Sequence, residues 1–148
     1  MIGEPGASVM FTAQLLIAAS AVILFVLGAF HLWYTFVGNK LHPRDASLRE
    51  RMEQVSPVLT RQTTMWKAWV GFNASHSYGA LLFGAVYGYL ALAEGAFLLQ
   101  SHFLLVLGLV LLLAYAVLGK VYWFSIPFRG IILATVLYAA GLVTAFLN

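Results

Sequence analysis

Residues 71–84 read GFNASHSYGALLFG and set Asn73, Ser75, His76 and Ser77 inside an otherwise apolar run. Four hydrogen-bonding side chains in that setting could hold a polar ligand, pass a proton or tie helices together. His76 is the most versatile of them, because an imidazole titrates near neutral pH and can donate or accept at its nitrogens. A second histidine, His31, lies in an earlier apolar run, in a helically spaced series of small and polar residues: Gln14, Ala18, Ala21, Gly28, His31 and Thr35. Polar side chains in hydrocarbon turn toward protein, since lipid offers them no partner. A cluster of His31, Asn73, Ser75, His76 and Ser77, with Thr35 beside it, is therefore expected between two helices.

The same stretch continues as His76, Ala80, Gly84 and Gly88, at i, i+4, i+8 and i+12. Gly84-x-x-x-Gly88 is a small-residue pattern that lets membrane helices approach closely. Three uses of the cluster follow from its chemistry. It could tie helices by hydrogen bonds, or hold the polar end of a lipophilic molecule such as a quinone or isoprenoid. His31 and His76 could also ligate a porphyrin, with Gly28 making room for the macrocycle. The pattern names no cofactor. A small membrane enzyme using His76 as acid or base on a lipid-soluble substrate is the competing class.

The surrounding composition sets the solvent. The chain has 148 residues, 62% hydrophobic and 9% charged, with mean hydropathy +0.91. Soluble domains carry roughly 25% charged residues. No cysteine is present, which excludes disulfides, thiol nucleophiles and cysteine-based metal centres. The net charge of +3 fits basic cytoplasmic loops of a membrane protein, and nucleic-acid binding is not expected. Intramembrane carboxylates, a phosphate-binding glycine loop, a nucleophile elbow and an H-x-x-x-H metal pair are all missing, so neither proton transport nor a recognised catalytic motif is indicated.

Four stretches can cross a bilayer, at about 8–37, 66–93, 97–118 and 127–146. The expected fold is an all-α integral membrane four-helix bundle in up-down-up-down order, one transmembrane domain over 1–148. Lys40, Arg44, Arg49, Arg51, Arg61 and Lys67 fall in or beside the loop 38–65, and Lys120 and Arg129 flank the turn between spans three and four. Only Glu4 and Glu94 mark the opposite side. The positive-inside bias puts both basic connections in the cytoplasm and both termini outside, in a bacterial inner membrane. Counting residues along antiparallel spans sets His31 level with Asn73 and near Tyr115, with His76 one turn deeper. Gln100 and His102 belong to the other face.

The loop 38–65 carries a short amphipathic helix, with Asp45 as its cap, Leu48, Met52 and Val55 on one face and Arg49 paired with Glu53. Ser56 and Pro57 resemble an N-cap followed by proline at N1, which would start span two well outside the membrane. Pro127 reads as the first residue of span four, and Gly119 with Lys120 as the turn before it. Trp33, Trp66, Trp69, Tyr122 and Trp123 form an interfacial aromatic belt.

The W-x-x-W-x-G-F-N-x-S-H-x-x-G-x-L-x-F-G run from Trp66 to Gly84 and the Y-x-F-x-x-P run from Tyr122 to Pro127 together resemble a family of small uncharacterised bacterial membrane proteins. That resemblance implies four spans in this order and points to Asn73, Ser75 and His76; it implies no reaction. Size and topology are also similar to the membrane-associated eicosanoid and glutathione enzymes, where Asn73 and, loosely, Arg61 would match the glutathione-binding set. The glutamate of that set has no counterpart in span two. Taken together, the residues point to a non-catalytic membrane protein, an accessory subunit or lipophilic-ligand binder, associated with like or unlike subunits.

Overall fold

A computed structural model describes residues 5–146. It is all-helical, with α1 (Pro5–Phe36), α2 (Ala46–Gln54), α3 (Met65–Ala93), α4 (Gly95–Gln100), α5 (His102–Tyr122) and α6 (Ser125–Phe146). Among the described residues, α1 from Gly6, α5 and α6 are long and apolar enough to cross a membrane. At 29 residues α3 has the length, but Asn73, Ser75, His76 and Ser77, with its glycines and tyrosines, dilute its apolar content. Glu4, expected on the outer side, lies outside the described residues.

The chain divides into two compact units, one of residues up to Leu27 and from Ala80 onward, the other Gly28–Gly79. In the first unit α1 presents Ala13, Ile17, Ala21 and Leu24 to a core that also takes Phe83 and Tyr87 from α3, Leu98 from α4, Leu105 and Leu112 from α5, and Tyr138 from α6. Small residues on α1 and α3 bring those two helices together. A Cβ at Gly84 would lie 2.6 Å from Phe25 Cβ and 2.7 Å from the Ala21 carbonyl oxygen. Gly88 is looser, with Ala21 Cβ at 3.8 Å, and Ala80 is buried on the same helix. The small-residue face of α3 thus packs against α1 within the first unit.

In the second unit, α2 forms as its local signals dictate. Asp45 accepts from the Ser47 amide at 2.9 Å and from its hydroxyl at 2.8 Å. Arg49 and Glu53 pair at 2.9 Å, one turn apart. Val55 caps α2 from outside the helix, and Leu48 is exposed.

Four boundaries differ from expectation. Ser56 and Pro57 do not open span two; residues 56–64 are non-helical, and Thr64 caps α3 by accepting from the Lys67 amide at 3.3 Å. The polar run Arg61, Gln62, Thr63 and Thr64 supplies no apolar face on which a longer helix could pack. Span three is split at Ser101, whose Oγ accepts from Leu104 and starts a new helix at His102. The last connection is Trp123 and Phe124, not Gly119 and Lys120, and Gly119 is buried within α5. Finally, α6 opens at Ser125 with Pro127 third. Proline fits there because the first four helical N–H groups have no intrahelical acceptor.

Two predictions test these local structures. Gly84→Val should destabilise the chain by about 1–3 kcal/mol through overpacking, whereas Gly71→Ala, where an added Cβ meets nothing within 4 Å, should cost nothing; unfolding in mixed micelles compares them. The Ser47 hydrogen bonds, side chain first and then amide, hold the Asp45 carboxyl below its ordinary 3.8. A depressed folded value means the cap's stabilisation is complete above 3.8 and is lost as pH falls through the folded value. The Ser47 amide resonance should titrate with a midpoint below 3.8, and Asp45→Ala should abolish that titration.

Candidate functional site

The polar cluster forms within Gly28–Gly79, from the last turns of α1 and the first turns of α3. Its local anchor is tryptophan. Trp69 Nε1 donates to the Leu41 carbonyl at 3.0 Å, fixing the loop after α1 against α3. One turn on, Asn73 Nδ2 donates to the Trp69 carbonyl at 2.8 Å. That bond sets the amide orientation and leaves Oδ1 to accept. His31 Nε2 lies 3.0 Å from Asn73 Oδ1; an amide oxygen only accepts, so Nε2 is the donor of that bond. His76 completes the group, its ring edge-to-face with His31 at a centroid distance of 5.4 Å.

The hydroxyls do something different. Ser77 is fully buried and donates to the Asn73 carbonyl at 2.9 Å. Thr35 donates to the His31 carbonyl at 2.8 Å. Ser75 is exposed and donates to the Phe72 carbonyl at 3.0 Å. A hydroxyl has one hydrogen to give, so neither Ser75 nor Ser77 is a nucleophile activated by histidine here. Of the expected cluster, His31, Asn73 and His76 come together; Ser77 and Thr35 support them from their own helices, and Ser75 turns away. Tyr115 belongs to the other unit, where its ring meets Trp123 at 6.2 Å.

Gly28 is buried, but a porphyrin between His31 and His76 would have to displace both the ring contact and the Asn73 bond. Among the described residues no set of three histidine or acidic side chains is placed to hold a metal ion. Beside the cluster, a crevice lined by Thr35, His42, Trp66 and Asn73 has no room for a water molecule. A larger cleft of about 380 Å³ opens on the loop side, lined by Asn39, His42, Arg44, Arg49 and Glu50. Arg49 is well held there: it donates to His42 Nδ1 at 2.9 Å and stacks 4.0 Å over Trp66. The other expected interfacial cations are in the first unit, Lys120 with Nζ 5.6 Å from the Phe128 ring centroid and Arg129 exposed near the start of α6.

One polar arrangement was not anticipated from the sequence. In the first unit, Tyr87 donates to the Leu104 carbonyl at 2.7 Å and Tyr138 to the Leu105 carbonyl at 3.2 Å. Their rings meet edge-to-face at 5.8 Å, with Phe83 stacked 4.5 Å from Tyr87. Gly108 permits this, since a Cβ there would collide with the Tyr138 hydroxyl and sit 2.8 Å from Tyr87 Cε1. Tyr138 in the centre of an apolar run, and Tyr87 eleven residues beyond His76, were the available signals.

No family model, no curated protein and no solved structure matches the chain.

The His31–Asn73 bond should be measurable as a coupling. A double-mutant cycle of His31→Phe and Asn73→Leu, read by unfolding in mixed micelles, should give about 0.6–1.7 kcal/mol. A value of zero would remove the bond as a tie between the helices.

Proposed function

We propose that the chain is a non-catalytic integral membrane protein of the bacterial inner membrane. It works as an accessory subunit of a membrane complex, or as the binder of a lipophilic ligand at His31, Asn73 and His76. In this reading α1, α3, α5 and α6 all cross the bilayer in up-down-up-down order. Both termini are outside, and the basic residues of the loop before α3 are cytoplasmic.

The observation that carries the reading is how the cluster spends its hydrogen bonds. Asn73 is committed at both ends of its amide, Ser75 and Ser77 donate to carbonyls of their own helix, and the hydrogen bonds of the group among the described residues run to amide and carbonyl groups. Recognition needs only placed donors and acceptors; acid–base catalysis needs a group positioned on the proton it moves. In the neutral tautomer the His31 Nδ1 lone pair is what the hydroxyl of a lipophilic molecule would engage, with the His76 ring edge-to-face beside it. Association with further subunits belongs to the proposal as well, although the small residues of α3 are already used against α1.

The test compares wild type with His76→Ala, extracted in native-lipid polymer discs, by mass spectrometry of what co-purifies. A small lipophilic molecule or a subunit should accompany the wild type and be lost from the variant, with helicity unchanged. If the same partners stay bound while turnover of a lipid-soluble substrate disappears, His76 is an acid or base and the chain is an enzyme.

A further inference from the structure

The segment between α2 and α3 is clasped at its base by the Met65 amide, which donates to the Val55 carbonyl at 2.8 Å. At its apex the Thr60 amide donates to the Pro57 carbonyl at 3.2 Å, closing a turn whose central residues are Val58 and Leu59. Both lie at negative φ, and both are wholly exposed, at 108% and 94%. Turn centres are ordinarily glycine, proline, asparagine, aspartate or serine, each for a backbone or hydrogen-bonding reason. Valine and leucine offer the turn neither, and their side chains are not buried by the rest of the described chain.

We propose that the turn 57–60 inserts Val58 and Leu59 into the lipid leaflet that borders the start of α3, on an anionic headgroup surface. Reach supports this. The tip is three or four residues from the clasp, and three extended residues cover about 10 Å. The headgroup layer between water and the hydrocarbon core is only about 5–7 Å deep on each side. The clasp itself sits directly before the first turn of α3, where Trp66 and Trp69 occupy the interfacial position that tryptophan favours. Charge supports it as well. Arg51, Arg61 and Lys67 flank the segment, all exposed, and with Arg49 they outnumber the exposed Glu50 and Glu53, the latter paired with Arg49. Cations beside an apolar tip match an anionic leaflet, with the charges at phosphate level and the aliphatic side chains below. A water-facing turn would expose two large aliphatic side chains for no gain. The inference is independent of the His31 cluster and rests on the reading above in which α3 crosses the bilayer.

The absence of cysteine makes the test direct. Val58→Cys, Leu59→Cys, and Gln62→Cys as a flanking control, are each labelled with a nitroxide and reconstituted in vesicles containing phosphatidylglycerol. Power saturation then compares collisions with oxygen, which concentrates in lipid, and with a water-soluble nickel chelate. At 58 and 59 oxygen should exceed nickel several-fold, and at 62 the order should reverse. Preferential access to nickel at 58 and 59 would place the turn in water and overturn the proposal. Protection from both reagents would overturn it in favour of a protein partner. Depth should also be less in pure phosphatidylcholine vesicles; equal depth in the two would overturn the anionic preference.

Discussion

Hydrocarbon cannot satisfy a stray donor or acceptor, and among the described residues the side-chain hydrogen bonds inside the long helices fall into two kinds. Short hydroxyl side chains fold back on their own helices: Thr12 on Ser8, Thr35 on His31, Ser77 on Asn73, Thr135 on Ile131 and Thr144 on Ala140, each one turn back. Longer polar side chains cross to another helix: Asn73 meets His31, Tyr87 meets the Leu104 carbonyl, and Tyr138 meets that of Leu105. The division follows from reach, because a serine hydroxyl lies too near its own backbone to span an interhelical gap. Among the described residues one fully buried hydroxyl, that of Ser20, has no partner; its environment gives no physical account of that exception.

The crossing contacts need close helices, and glycine supplies the distance. Gly84 admits α1 onto α3 at the level of Ala21 and Phe25, and Gly108 admits two tyrosines onto α5. At Gly108 hydrogen bond and small residue go together: a Cβ there would meet both tyrosines whose hydroxyls bond to α5. In membranes such bonds are individually weak, about 0.6 kcal/mol on average, so packing at the glycines carries most of the attachment.

Legibility in the sequence followed the range of each interaction. Asp45 as a cap, the Arg49 and Glu53 pair and the small-residue face ending at Gly88 are local patterns with fixed spacing, and they occur as expected. His31 opposite Asn73 came from counting residues along antiparallel helices, which works because helical rise is constant. Signals with two meanings went wrong. Ser56 with Pro57 reads equally as a helix start or as the entry to a turn, and the absence of an apolar face after it decided for the turn. Ser101, between Gln100 and His102, lies in a polar triplet that reads equally as an interfacial end of a span or as the cap of a new helix. Ser75 and Ser77 are indistinguishable by type, yet only Ser77 is buried. The two tyrosine contacts join residues far apart in the chain, and no spacing rule reaches that distance.

Gly38 has one further consequence. It is the only residue type that enters the left-handed region in the described chain, with φ +81° directly beyond the end of α1, and it stops that helix at a fixed point. With 32 residues, α1 is about 48 Å long, while a hydrocarbon core is about 30 Å thick. A helix whose carboxy-terminal end is set by a left-handed glycine keeps its length there. The excess of roughly 18 Å over a hydrocarbon core is of the size that a spanning helix accommodates by tilt or by protrusion beyond the lipid.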